Sequence, residues 1–284
     1  MKKTKATAPE KYTISTFGLQ LLSALVALFF VFPIFIIFNN AFKTKQELFM
    51  NPPLSMPSSI KPDNFLMAWK KLELGTAFFN SFSYTAISVL LIAFLCTITA
   101  WAIARGGSKL FQAARVYFLI GILIPAQALC LPIYLLWNSL GLVNSRFGLI
   151  ILYVSTGLSF GIFLQTNFMK TVPIDIEEAA RIDGCNVYRT FFSVVLPLLK
   201  APMATLIIVQ SFTIWNDYML TNLVVQSKNM RTVILAMKTL FSTTANDYST
   251  AMAAIILSAT PIIVLFVLLQ KQFIKGMTIG AVKG

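Results

Sequence analysis

Long uncharged runs separated by short polar breaks set the pattern of this chain. Phe17 to Phe38 contains no charged residue, and ~20 helical residues suffice to cross a hydrocarbon core of ~30 Å. Comparable runs follow at roughly 76–104, 113–137, 147–169, 201–223 and 250–270. Each predicts a membrane-spanning helix, six in all. The breaks are equally informative. Arg105-Gly106-Gly107-Ser108-Lys109 is a charged segment that cannot lie in lipid, and Gly141 to Arg146 makes a short turn. Loop 39–75 holds Pro52, Pro53, Pro57 and Pro62, which argues for an ordered or partly extended outer segment rather than a hidden span. Phe65 to Leu72 fits a short surface helix with Trp69 as an interfacial anchor. The layout is an N-terminal tail, 1–16, and a single transmembrane domain, 17–284, interrupted by a polar loop at 170–200.

Composition agrees. The chain of 284 residues is 57% hydrophobic and 12% charged, with no histidine, whereas soluble domains carry about a quarter charged residues. The expected fold is an all-α membrane bundle. A net charge of +13 invites a nucleic-acid partner, but Lys and Arg are spread over loops and termini, as orientation signals are. The expected surroundings are lipid, with no nucleic acid. Lys2, Lys3, Lys5 and Lys11 ahead of an apolar run resemble a signal peptide. The run is longer than an h-region of ~7–15 residues and no small-x-small site follows, so an uncleaved first span is expected. The terminus-side segments hold 14 Lys and Arg against 9 on the opposite side. The positive-inside rule therefore places both termini and the 170–200 loop in the cytoplasm. The expected location is a bacterial-type cell membrane.

Several chemistries have no sequence support. There is no G-x-x-x-x-G-K-[ST] phosphate loop, no Cys-rich metal spacing and no Ser/His pair. Three cysteines give no disulfide framework. Asp217 is the one acid within a predicted span, so a paired-carboxylate protease is also excluded. No catalytic, cofactor or metal site is expected in this chain.

The 170–200 loop concentrates polar chemistry. Four of the ten acidic residues, Asp175, Glu177, Glu178 and Asp183, fall within it. Pro173 suits a first helical turn, and Asp175 with Glu178 has capping-box spacing. Glu177 and Arg181 are i,i+4 neighbours on an expected exposed face. Gly184 suits the left-handed position that ends a helix. Ala179 and Ala180 are small enough for a partner's surface to come close. Val187 to Val195 then offers Tyr188, Phe191 and Phe192 for packing, before Pro197 breaks the segment. The result is a helical hairpin pushed out of the membrane, with an amphipathic helix resting on headgroups as the simpler alternative.

Glu178-Ala179-Ala180, Gly184 and Val194-Val195-Leu196-Pro197 together resemble the EAA-type cytoplasmic signature of ABC importer permeases, with Val194 where the family usually has Ile. Further pieces resemble its carbohydrate, maltose-permease-like branch. These are Ile182-Asp183-Gly184, Pro125-Ala126-Gln127 with Pro132, Trp215-Asn216-Asp217-Tyr218, and the ending Gly276 to Gly284. The resemblance implies a type I ABC importer permease fold with a cytoplasmic coupling helix. Its ATPase-coupling residues would be Glu177, Glu178, Ala179, Ala180, Arg181, Asp183, Gly184, Leu196 and Pro197. It also implies partners: a second homologous permease chain, two cytoplasmic ABC ATPase subunits that bind ATP and Mg, and an extracytoplasmic sugar-binding protein.

Intramembrane polar groups are expensive and usually face a cavity or another helix. Asp217, flanked by Trp215, Asn216 and Tyr218, suits hydrogen bonding and stacking to sugar, or equally bridging of helices. Gln127, between Pro125 and Pro132, suits a cavity wall or a kinked packed helix. These five are the candidate substrate path. Asn80, Ser81 and Ser83 are expected to bond neighbouring helices. The implied function is import of carbohydrate, an oligosaccharide, by alternating access. Glycerol-3-phosphate or another polyol is the alternative cargo. A secondary transporter is the alternative of another class; it would need midplane acids or inverted repeats.

Overall fold

Apolar segments that cannot hydrogen-bond to lipid satisfy their backbone internally, and every regular element among the described residues is helical. The structure, a computed structural model, describes residues 14–60, 62–243 and 247–281. The tail up to residue 13 and positions 282–284 of the ending motif lie outside the described residues. In chain order the helices are α1 (Ile14–Ala41), α2 (Lys45–Met50), α3 (Asp63–Lys71), α4 (Leu74–Arg105), α5 (Lys109–Leu123), α6 (Cys130–Ser139), α7 (Arg146–Met169) and α8 (Asp175–Ile182). There follow α9 (Val187–Arg189), α10 (Leu196–Leu198), α11 (Lys200–Trp215), α12 (Met219–Val224), α13 (Val233–Thr243) and α14 (Tyr248–Ala281).

Among the described residues, four helices are individually long and apolar enough to cross a membrane, within α1, α4, α7 and α14. Two bent pairs raise the number to six if each is one span. The third expected span is not continuous. α5 and the segment Ala126–Ser139 meet at 95°. Pro125 explains the break: it disfavours helix at the preceding residue, and Ile124 is extended (φ −81°, ψ 118°). Pro132, by contrast, occupies the first turn of α6, where its missing N–H costs no helical bond. The fifth span also differs. α11 stops at Trp215 instead of continuing to 223, and it meets the 187–198 segment at 74°.

α4, α7, α11 and α14 form the centre of the bundle, and α4 against α7 is the most extensive contact. Ile92, Cys96, Leu149, Leu152 and Leu206 are buried between them. Gly157 and Gly161 on α7 make this approach possible. A Cβ at Gly161 would stand 2.4 Å from the Cys96 sulfur, and one at Gly157 would stand 2.6 Å from Ile92. α1 packs on α14 and turns Phe29, Phe30 and Leu28 outward, as a lipid-facing helix does.

The bundle end opposite α8 is closed by side chains bonded to backbone. Asn80 donates to the Asn229 and Arg231 carbonyls, Ser81 accepts from Val233 N–H, and Tyr84 donates to the Met230 carbonyl. Asn144, left-handed at φ 57°, accepts from the N–H groups of Gln226 and Ser227. Residues 39–55 are tied together by local bonds, Asn39 donating to the Ser55 carbonyl and Lys43 to that of Pro53. Thr44 and Glu47 form a capping box on α2, and Glu47 also accepts from the hydroxyl and the N–H of Ser58. The Ser58 hydroxyl first, then the Thr44 N–H, hold the Glu47 carboxyl down at about 2. The short helix expected around Phe65 to Leu72 is present as α3, and Trp69 lies 5.7 Å from Phe78. Where α14 begins, burial pushes the Asp247 carboxyl up. The hydrogen bond from Lys71 and the charges of Lys71 and Lys45 outweigh this and leave it below the ordinary value.

Candidate functional site

α8 begins with Asp175, Glu177 and Glu178 in its first turn, where carboxylates face the positive end of the helix dipole. The capping box expected between Asp175 and Glu178 does not form. The helix starts at Asp175 itself with Ile174 at the cap, so the Asp175 side chain already lies inside the first turn. Its C-terminal end follows expectation. Gly184 has φ +81°, Cys185 N–H bonds the Ala180 carbonyl at 2.9 Å, and Gly184 N–H bonds that of Arg181 at 3.0 Å. This bonding pair is the Schellman closure.

Glu177 departs from expectation. It is not on the exposed face with Arg181 but is 2% exposed. Its carboxylate accepts from Trp101 Nε1 at 2.9 Å and from Arg105 Nε at 2.8 Å. Arg105 also donates to the Val172 carbonyl at 2.9 Å. Burial favours the long-range partner because two donors from α4 converge on the carboxylate away from solvent, while Arg181 points outward. Ala180 is buried beside it, and Glu178, Ala179, Arg181 and Asp183 remain exposed. With them are Ile174 (50% exposed), Ile176 (40%) and Ile182 (87%). The inner face of α8 is fixed, and its outer face is acidic, apolar and uncovered.

The following segment returns to the bundle. α9 leads into a π-helical stretch, Thr190–Val195, ahead of Pro197. Phe191 is buried and stacks 5.1 Å from Trp101, whereas Tyr188 and Phe192 are exposed. Leu196 packs in the same cluster and Pro197 is exposed. The chain breaks at Leu199 rather than at Pro197, which sits in the first turn of α10.

A cavity of about 460 Å³ opens between α7 and the α11–α12 junction, within the ~300–1,000 Å³ of small-molecule sites. Tyr153, Thr156 and Phe160 line one wall; Gln210, Thr213 and Asp217 line the other. Asp217 accepts from Tyr153 Oη at 3.0 Å, from the N–H groups of Leu220 and Thr221, and from the Thr221 hydroxyl. It thus bridges α7 to α12 while edging the cavity. The other expected path residues are dispersed. Trp215 is buried and donates to the Ser258 carbonyl, Asn216 bonds back to Phe212, and Tyr218 lies beneath Lys238. Gln127 is exposed and not in the cavity wall, although Ala126 is. Tyr153, Thr156, Gln210 and Thr213 were not singled out from sequence. The signal was spacing: 153, 156 and 160 share one helical face, as do 210, 213 and 217.

Residues 94–279 match the family described as "Binding-protein-dependent transport system inner membrane component". The chain is 33% identical over 273 residues to the "Probable starch degradation products transport system permease protein" of Thermoanaerobacterium thermosulfurigenes, covering 96% of this chain and 99% of that one. It is 33% identical over 267 residues to the melibiose/raffinose/stachyose import permease protein of Bacillus subtilis (strain 168), covering 94% and 96%. The fold resembles a chain of a bacterial ABC transporter involved in the import of the acidic polysaccharide alginate, with TM-score 0.81 and 22% identity over 93% of this chain and all of that one. The helical bundle, the multi-pass pattern and a match running from α4 deep into α14 converge: the chain belongs to the family of binding-protein-dependent transport system inner membrane components.

Proposed function

We propose that this chain is one permease subunit of an ATP-driven importer that moves a neutral oligosaccharide across the cell membrane by alternating access. The observation that carries this is the uncovered face of α8. Three exposed isoleucines on a short acidic helix outside the spans suit a protein cleft better than water. In this proposal α8 is the coupling helix, which lies in the cytoplasm with both termini and docks on one of two ATPase subunits that bind ATP and Mg. A second permease chain completes the translocation path, and an extracytoplasmic binding protein delivers the sugar. The relatives described as permeases for starch degradation products and raffinose-type sugars support the cargo class. So does the cavity wall, whose one charged residue is an acid, Asp217. Glycerol-3-phosphate would require cationic groups there.

The test is reconstitution of the chain with its permease, ATPase and binding-protein partners in vesicles, followed by import and ATP hydrolysis with a panel of neutral oligosaccharides. Import should require ATP and the binding protein. Glu178→Lys should abolish import while leaving the subunit in the membrane, and Gly184→Pro should do the same by breaking the helix stop. Import driven by an ion gradient without ATP would overturn the proposal.

A further inference from the structure

We infer that α4 is the span that moves with α8, because Trp101 and Arg105 hold Glu177 in a buried clamp; this rests on the proposal that α8 docks on an ATPase. The loop is joined in sequence to α7 and α11, so either of those would be the obvious carrier of its motion. The contacts point elsewhere. Trp101 and Arg105 are one turn apart on α4 and give both oxygens of Glu177 a donor. The same guanidinium reaches the Val172 carbonyl, so one side chain holds both α8 and the link that precedes it. Phe191 stacks on Trp101, which ties the returning segment to the same turn. By contrast, the junction to α11 is a non-helical residue, Leu199, at a 74° bend. Removing one partner from a buried pair leaves the other charge uncompensated. The clamp therefore holds α8 on the end of α4 while the junction to α11 flexes.

The test uses nitroxide pairs in the reconstituted transporter, with Cys130→Ser and Cys185→Ser removing the two accessible thiols. One pair joins Ser108, just past α4, to Ile182 on α8; the other joins Ile182 to Lys200 at the start of α11. The 108–182 separation should be the same without nucleotide and with ATP plus vanadate, while the 182–200 separation changes. Glu177→Gln should broaden the 108–182 distribution and lower import per ATP hydrolysed roughly tenfold, within the usual range of coupling between sites. Arg105→Lys keeps the charge but cannot make both bonds, and should fall between wild type and Glu177→Gln. A 108–182 separation that shifts with nucleotide overturns the inference. So does Glu177→Gln with wild-type distances and wild-type coupling. Import insensitive to Glu178→Lys overturns the docking proposal instead. In that case the 108–182 distribution of the chain alone in lipid vesicles, narrow in wild type and broad in Glu177→Gln, still decides the clamp.

Discussion

The Tyr153 hydroxyl donates to the Asp217 carboxylate across 3.0 Å, joining α7 to the α11–α12 junction 64 positions further along the chain. The same carboxylate caps the free N–H groups at the start of α12. Loss of such a cap costs about 0.5–2 kcal/mol and loss of one hydrogen bond to a carboxylate about 1.5–3 kcal/mol; removing the Asp217 side chain loses both. Asp217→Ala should therefore lower the melting temperature in detergent more than Tyr153→Phe does, with Asp217→Asn between them. A Tyr153→Phe variant of unchanged stability but raised KM for sugar would instead mark this pair as a substrate contact.

Gly161→Ala tests the packing of α7 on α4. The added methyl has no room beside the Cys96 sulfur, and overpacking of this kind costs about 1–3 kcal/mol. Thermal unfolding should shift down. The double variant Gly161→Ala with Cys96→Gly should recover part of the loss, since the deeper atom is gone.

Asn144 combines backbone strain with side-chain bonding, and two variants separate these. Asn144→Ala loses the bonds to Gln226, Ser227 N–H and Ser227 Oγ and places a Cβ-bearing, non-bonding residue at φ 57°. A left-handed residue costs roughly 1–2 kcal/mol, and each bond about 1 kcal/mol. Asn144→Gly loses the same bonds but relieves the left-handed strain, so it should be intermediate in stability. Hydrogen exchange at 225–232 should accelerate in both.

Glu47 makes the 44–58 segment sensitive to acid. Its carboxyl is depressed in the folded chain from 4.5 to about 2, so its contribution is present above the unfolded value. It is lost as pH falls through that window to about 2. Hydrogen exchange at the Thr44 and Ser58 amides should quicken over this range relative to intrinsic rates, and Glu47→Gln should abolish that pH dependence.

Hydropathy located the continuous helices well: 17–38 and 147–169 fall within α1 and within α7. It missed the breaks at Ile124 and at Asn216 because both fall within runs that are apolar on average, although Asn216 and Asp217 are themselves polar. Pro125 was the local sign of the first. The second depends on Asp217 redirecting its carboxylate to α12, which only the folded neighbourhood fixes. The α8 stop at Gly184 was legible because a left-handed glycine leaves a local signature. The partner of Glu177 was not, because a bond to a residue 72 positions away has no counterpart in i,i+4 spacing. Arg181 satisfied the local rule, and burial satisfied the stronger one.

α4 runs for 32 residues without a proline, so at ~1.5 Å per residue it is a continuous rod of roughly 48 Å, longer than the ~30 Å of a hydrocarbon core. α1 and α14 each contain an internal proline. Asn80 near one end of the rod holds the 229–231 backbone, and Arg105 at the other holds Glu177. With no proline or helix break between those two grips, a tilt imposed at one end of α4 is carried to the other. The mouth of the bundle and its far loop are thus the two ends of a single lever.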